Sequence, residues 1–513
     1  MLEKDDLFLP YRPAAALPRE VTQSQIFEEI LRPTARFRKP FTSKERLRLL
    51  FSRMALKASP FNDISISLSS SVPLNWQVVL NYLFREGIIE APVADFRSLR
   101  NDKPKVLGLS IRAKHDANVT DAINVSLSGS SIGPDFETSL SKAIGELLER
   151  YMGTIFKFEK LQRATPQKLR ESNQTFLNPK SLNGYTEWQK ARNKTLQYDD
   201  ATPFYWAEAV NLTNANRKTL VPAQLLFWVF NAGNRVEPTL MPLTTNGGAG
   251  HFSREEALLA ALREYVQRDA FLIYWLNTLS PKRIQIQEST EPQVTELLSY
   301  LKHFNITAYF LDITSDLPVP TCACVLIHDE NGEDPYMTLG AGNGATALDA
   351  ILSSYNEAIA AQSAFDGWVN TPKVDLASYI PFARTDIDRD GRIALWRGKE
   401  WYEKIRFFLS GDPEPYSEFA SKFTPYASPK EELAFLIDHF KARGAGYEIY
   451  AHYFEHNVLR SLGYHVVKLV IPKLIPMYLN EHLVTLEAER LRAVPKVLGY
   501  VAPEPNIYPH PFP

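Results

Sequence analysis

The sequence predicts an α+β fold, with pseudo-repeated helices packed on sheets and a small accessory module at its N-terminal side. Three observations lead there. From Val106 onward, short β-branched runs alternate with long helix-like segments, the pattern of helices and strands sharing cores. One helix pattern returns later in the chain at matched positions, the signature of a repeated unit. The 513 residues, 45% hydrophobic and 23% charged, suffice for about two to four domains with buried cores. A disordered tail, a disulfide mini-protein and a collagen-like fibre are thereby excluded.

Residues 1–104 read as an accessory or partner-docking region. They contain a proline-rich opening, a basic helical stretch Ser43–Lys57 and a second helical stretch Leu74–Glu86 that stops at Gly87, with a boundary near Asn101–Lys105. Residues 105–513 read as the main domain. Within it, a polar, Asp- and Pro-rich segment at about 379–430 reads as an insertion. A helix at Glu431–Arg443 and strands at Tyr447–Tyr450 and His465–Ile471 follow, and five of the 35 prolines fall in the tail 503–513.

The net charge of −2 removes the global electrostatic case for nucleic-acid or membrane partners. It conceals an asymmetry: Arg32–Lys57 carries nine basic residues and one acid, +8 against −10 for the remainder, so this stretch suits an acidic partner. The two cysteines, Cys322 and Cys324, stand two apart in the apolar run Thr321–Ile327. A strand there points both to one face as small buried thiols. No disulfide framework is present, the opening MLEKDDLFLP lacks a signal-peptide pattern, and Val466–Leu479 is broken by Lys468, Pro472, Lys473 and Pro476. The expectation is a soluble cytoplasmic protein.

The repeat carries the chemistry. Ser139–Arg150 aligns with Ala257–Arg268 so that Leu140 meets Leu258, Ala143 meets Ala261, Glu146 meets Glu264 and Arg150 meets Arg268. Ala350–Gln362 is a looser third copy, with Glu357 in the Glu146 slot and Ala360 where Glu149 would stand. Each copy follows a segment read as a Gly/Ser-rich turn: 128–133, 246–250 and 340–344. Ser253 with Glu256 forms a capping box that sets the start of the second helix. Residues three apart share a helix side, so Glu146 with Glu149, and Glu264 with Gln267, each present paired oxygens. Converging carboxylates need a cation, and Mg²⁺ takes oxygen ligands while leaving positions for phosphate. Arg150 and Arg268 supply donors for phosphate oxygens.

Simpler motifs fail. There is no Walker A sequence. Gly129-Ser-Ser131-Ile-Gly133 matches a nucleophile elbow, but Pro134-Asp135 interrupts the required helix entry, leaving a phosphate-facing or plain turn. Gly340-Ala-Gly342-Asn-Gly344 lacks the acidic residue of a dinucleotide fold at the next strand end. Asp386–Gly391 opens like a calcium loop, but Arg397 stands where a bidentate Glu belongs. His452-Tyr-Phe-Glu455-His456 resembles an inverted zinc-protease motif without a third ligand and reads as a surface loop.

Taken together, SLSKAIGELLERY, TTNGGAGHFSREEALLAALREYVQRDAFLIYWLN, GAGNGATALDAILSSYNEAIAAQS and GYHVVKLVIPKLIPMYL with RLRAVP resemble the YcaO superfamily over about Lys105 to Pro513. The ending PHPFP is similar to the Pro-x-Pro-x-Pro of its azoline-forming branch. The resemblance implies a YcaO-type fold and an ATP- and Mg²⁺-dependent cyclodehydratase acting on Cys, Ser or Thr of a ribosomal precursor peptide. It implies that Glu146, Glu149, Glu264 and Gln267 hold metal and phosphates. Ser141, Asn246, Arg268 and Glu357 would contact the nucleotide, and Pro509, Pro511 and Pro513 would border the reacting peptide with Arg268. Implied partners are the precursor peptide, a leader-binding E1-like (ThiF-like) protein and an azoline dehydrogenase, in an oligomer or multi-enzyme complex. The alternatives are a thioamide- or amidine-forming relative and a non-catalytic ATP-binding scaffold, the latter suggested by Gln267 and the altered third helix.

Overall fold

A computed structural model of the chain describes residues 64–67, 74–90, 93–97, 107–117, 120–122, 127–133, 136–230, 237–242, 244–286, 291–328, 336–367, 379–383, 392, 395–396, 399–501 and 505–512. The expected helix Ser43–Lys57, the basic stretch 32–57, the boundary at Asn101–Lys105 and the Asp386–Gly391 loop lie outside them. The described residues fall into two compact units, those within 1–116, 124–151 and 456–462, and those within 117–123, 152–455 and 463–513.

The first unit holds an antiparallel sheet of β1 (Ile64–Ser67), β2 (Val93–Arg97), β3 (Leu107–Arg112) and β4 (Ser128–Gly133), in that order. It also holds helices α1 (Leu74–Arg85) and α2 (Phe136–Met152). The expected stop of α1 is confirmed: Gly87 takes φ +71°, the left-handed conformation that ends helices. The segment 128–133, expected as a turn, is a strand. Its glycine serves packing: a Cβ on Gly129 would fall on the Ala143 carbonyl and the Leu147 nitrogen of α2.

The second unit carries two sheets. One contains β5 (Gln162–Ala164), β6 (Phe204–Asn211), β7 (Arg217–Pro222) and β8 (Gly248–His251), with β14 (Tyr450–Tyr453) and β15 (His465–Val470) from later in the chain. Its order is β5-β6-β14-β15-β8, with β7 on β6. The other runs β12-β11-β10-β9-β13, from β9 (Lys282–Gln285), β10 (Ile306–Asp312), β11 (Thr321–His328), β12 (Tyr336–Asn343) and β13 (Pro413–Pro415). Three longer helices matter below: α3 (Arg254–Leu276), α4 (Ala347–Gly367) and α5 (Pro429–Arg443); so does the shorter α6 (Arg490–Val497). Within the 340–344 segment, Gly340–Asn343 form the end of β12 rather than a turn, and Gly344 follows the strand. Side chains at Gly340 and Gly342 would strike the α4 backbone at Ser354 and Ala358, so the glycines allow close approach of helix and strand.

Helix α3 is central to this unit. Its first half packs on β8, β15 and α5, and its second half joins the core of β11 and β12. Buried apolar residues all round explain why α3 has no solvated stripe along its second half. Asp269 fixes its axial position. Its carboxylate accepts Arg490 Nε at 2.9 Å, Arg490 Nη2 at 2.6 Å and the Ile475 N–H at 2.9 Å. Arg490 also pairs with Asp316 at 2.7 Å. Burial opposes the Arg490 charge, but Asp269 and Asp316 outweigh it and raise its pKa above the ordinary guanidinium value. Removing one partner of such a buried pair costs about 3–5 kcal/mol, so the lock joins α3 to α6.

Cys322 and Cys324 point to one buried face of β11, and burial pushes the Cys322 thiol up to about 12. The segment expected as an insertion contributes β13, which pairs in parallel with β9, and the fully buried Trp396 and Trp401. Two residues of the His452–His456 motif, expected as a loop, are strand: His452 lies in β14 and donates through Nδ1 to the Glu208 carbonyl, 2.8 Å. Gly340→Val should lower the urea-denaturation midpoint by the equivalent of about 1–3 kcal/mol, the cost of overpacking a close contact.

Candidate active site

Helix α3 starts where Ser253 caps it, the hydroxyl accepting the Glu256 N–H at 3.3 Å. The second arm of the box is absent because Glu256 turns to His251, 2.7 Å away. Three turns along, Glu264 accepts the Gly247 N–H at 3.1 Å and pairs with Arg268 at 2.6 Å. Arg268 Nη1 reaches Asn246 Oδ1 at 3.4 Å. Asn246 and Gly247 are neighbours, so the four residues close a ring of donors and acceptors. Gly247 suits its place: φ is +78°, and a side chain would strike the Tyr265 ring and the Leu469 carbonyl.

The first unit repeats the device. Glu146 accepts the Ser130 N–H at 2.5 Å and pairs with Arg150 at 2.6 Å, while Arg150 donates to the Ser128 carbonyl at 2.9 Å. Both ion pairs have the acid four residues before the base, the favourable helical order. The sequence pointed to Glu146 with Glu149 and Glu264 with Gln267 as oxygen edges. In the structure the leading acid of each pair faces an arginine and a backbone N–H, that of the strand residue Ser130 for Glu146 and that of the turn residue Gly247 for Glu264. Glu149 and Ser141 are half-buried on α2. Among the described residues, no three His, Cys, Asp or Glu side chains gather as a metal site.

Gln267 is buried and held at both ends by β12: Nε2 donates to the Ala341 carbonyl at 2.9 Å, and Oε1 accepts from Asn343 Nδ2. An ionised carboxylate cannot do both, which gives a physical reason for glutamine where the repeat suggested a second acid. One lone pair of Oε1 remains for a further contact. Glu357 is exposed on α4, while Ser354 and Ala358 face β12. Asn343 and Asp269 are partners that sequence reasoning did not single out.

The proline-rich segment is tied to α3. The Asn506 N–H donates to the Leu276 carbonyl at 2.9 Å, and Trp275 Nε1 to the Tyr508 carbonyl at 3.1 Å. Pro509, His510, Pro511 and Phe512 are all buried, with the Phe512 ring 5.3 Å from that of Phe271. Pro513 lies outside the described residues. His510 Nε2 sits 2.8 Å from the Tyr478 carbonyl; a carbonyl only accepts, so Nε2 carries the proton. Burial first, then Arg392, hold the His510 imidazole well below its ordinary value against these hydrogen bonds, with a further contribution from Arg268.

Residues 130–475 match the sequence model of a family described as YcaO cyclodehydratase, ATP- and Mg²⁺-binding. The chain belongs to the YcaO family. Among solved structures, it is similar to a heterocyclase in complex with substrate and cofactor, with TM-score 0.60 and 20% identity over 85% of this chain and 57% of that one. It is also similar to YcaO from Methanopyrus kandleri bound with AMPPCP and Mg²⁺, with TM-score 0.54 and 14% identity over 78% and 91% of the two chains. An uncharacterized protein of Methanothermobacter thermautotrophicus strain Delta H is 25% identical over 152 residues, 30% of this chain and 39% of that protein. The chain thus spans 57% of the heterocyclase and 39% of the curated relative. The structural likenesses share the YcaO fold.

YcaO proteins bind ATP and Mg²⁺, and the residues of the ring fit that pair. Among the described residues, Asn246 Nδ2 and Arg268 Nε are buried donors with no acceptor. Phosphate oxygens are acceptors of the kind these donors lack. Glu264 adds the oxygen a hard cation takes, and Mg²⁺ commonly uses one or two carboxylates with phosphate and water completing its shell.

Two outcomes test these assignments. Gln267→Glu sets a carboxylate against the Ala341 carbonyl, and should cost about 1–3 kcal/mol at pH 8. Protonation restores the donor, so the urea midpoint should return toward the wild-type value as the pH falls toward 5. For His510, the unfolded chain takes up a proton below about pH 6.5 that the folded chain refuses. Its share of stability is therefore present above that pH and lost as the pH falls toward the folded-state value, by up to about 1.4 kcal/mol per pH unit. His510→Gln should flatten the fall in urea midpoint between pH 6.5 and 5.

Proposed function

We propose that this chain is an ATP-dependent peptide cyclodehydratase, converting Cys, Ser or Thr of a ribosomal precursor peptide to thiazoline or oxazoline. The observation that carries this reading is the burial of Pro509–Phe512 against α3, the helix that bears Glu264, Gln267 and Arg268. A proline-rich strap lacks most backbone donors and has restricted φ, so it can border a reacting amide without competing for its oxygen. The family's ATP and Mg²⁺ binding supports the energy source.

The chemistry explains the need. A peptide thiol or hydroxyl adds to the preceding amide carbon, and the resulting oxygen is a poor leaving group that expels the nucleophile again. ATP supplies the phosphoryl group that lets this oxygen depart as phosphate, while the amide nitrogen loses its proton and a C=N bond forms within the ring that the nucleophile has closed. The protein's task is positioning and charge neutralisation. By the repeat, Glu146 and Glu149 in the first unit would offer oxygens to Mg²⁺, as would Glu264 in the second, with Gln267 Oε1 adding a neutral oxygen beside it. Arg150, Arg268 and Asn246 would turn donors toward phosphate, and Ser141 and Glu357 belong to the nucleotide contacts by the repeat alone. Pro509, Pro511 and Pro513 would line the peptide with Arg268. A precursor peptide, a leader-binding E1-like protein and an azoline dehydrogenase are the proposed partners, in a multi-enzyme assembly.

Incubation with ATP, Mg²⁺, a precursor encoded beside this chain and its partner should shorten the peptide mass by one water per ring. Exchange of oxygen for sulfur would instead indicate a thioamide-forming relative, and an unchanged peptide with bound ATP a scaffold. Glu146→Ala and Glu264→Ala should each abolish ADP formation with the circular dichroism spectrum unchanged; retained turnover contradicts the assignment. Removing 509–513 should depress ring formation more than ATP affinity.

A further inference from the structure

The turn before α3 is held in a way that its own residues do not explain. Each carbonyl from Thr244 to Gly247 has a partner. Thr245 accepts the Gly248 N–H at 2.8 Å, and Gly247 accepts the Leu469 N–H at 2.8 Å. Thr244 and Asn246 both accept from Lys468 Nζ, at 3.0 and 2.6 Å. Lys468 lies on β15, opposite Gly248, inside the sheet and only 6% exposed. A buried ammonium is costly unless its donors are used, so this lysine has a task.

The task is legible from what the turn presents on its other side. With three carbonyls drawn toward β15 and that of Thr245 held by Gly248, the Gly247 N–H is left to Glu264 and the Asn246 side chain to Arg268, whose Nε and the Asn246 Nδ2 remain unspent. Asn246 Nδ2 is thus an unpartnered polar atom of a side chain 4% exposed. We infer that Lys468 is a positioning residue, whose ammonium preforms the 244–247 turn and, through it, the ring of Glu264, Arg268 and Asn246 that receives the nucleotide phosphates. This rests on the ATP reading of that ring. Lysine suits the role because one ammonium offers three donors from one point, enough for two carbonyls that converge.

The test is Lys468→Met, which keeps the length and removes every donor. Without ATP, hydrogen exchange at the Gly247 and Gly248 amides should accelerate at least about tenfold, with β14 and the rest of β15 unchanged. If the turn is then assembled one time in ten, the dissociation constant for Mg·ATP should rise about tenfold, with turnover at saturating ATP retained. Unchanged exchange at the turn overturns the proposal, as does a fall in turnover with ATP affinity intact, which would put Lys468 at the reacting atoms. Should Lys468→Met fail to fold, Lys468→Gln keeps one amide donor and should give both effects at smaller size; a turn as protected as in the wild type overturns the proposal again. Wild-type protein that binds no Mg·ATP would sink the nucleotide reading, whereas the ATP-free exchange measurement still decides the role of Lys468.

Discussion

The carboxylate of Glu264 is the point on which the candidate site depends. It has two partners, the Gly247 N–H and Arg268, and each ties it to a different part of the chain. The N–H fixes the loop before the helix; the arginine fixes the side of α3 that faces Asn246. A carboxylate so placed is neutralised by the arginine without a metal ion. Magnesium and phosphate arriving together would offer it a metal and offer Arg268 a phosphate, an exchange of one set of opposite charges for another. The desolvation cost of these half-buried charges is then met in both states, which a bare cluster of acids would not achieve.

The same solution occurs at Glu146 with Ser130 and Arg150, and the glycines tell why it is available twice. At Gly129 a helix backbone sits where a side chain would be. Close approach brings the strand N–H within reach of a glutamate in the helix. The third copy keeps the close packing at Gly340 and Gly342. Its β12 also receives Gln267 from α3, so the third copy supports the second. The proline-rich segment packs against the C-terminal half of α3, held by Leu276, Trp275 and Tyr478.

Much of this was legible in the residues. The paired Glu-x-x-(Glu/Gln)-Arg helices, the Ser253 cap, the stop at Gly87 and the shared face of Cys322 and Cys324 all rest on local spacing, which a sequence displays directly. Three things were not. Glycine-rich stretches read as turns because glycine weakens any strand pattern; that 128–133 and 340–343 are strands depends on partners and helices elsewhere in the chain. The Asp269–Arg490 lock joins residues 221 apart, a distance no periodicity reveals. Lys468 had a signal of its own: a lysine within the apolar run of a central strand demands a buried acceptor. It reads first as an interruption of hydrophobicity, and only the fold supplies the two carbonyls.

The most direct measurement follows the amide oxygen. A precursor peptide carrying ¹⁸O in the carbonyls that precede its Cys, Ser or Thr residues would be processed with ATP and Mg²⁺, and the released phosphate examined by mass. The account predicts one labelled oxygen in inorganic phosphate for each ring formed, because the departing oxygen is the one that was phosphorylated. Unlabelled phosphate, with the label lost to water or kept in the peptide, would contradict it.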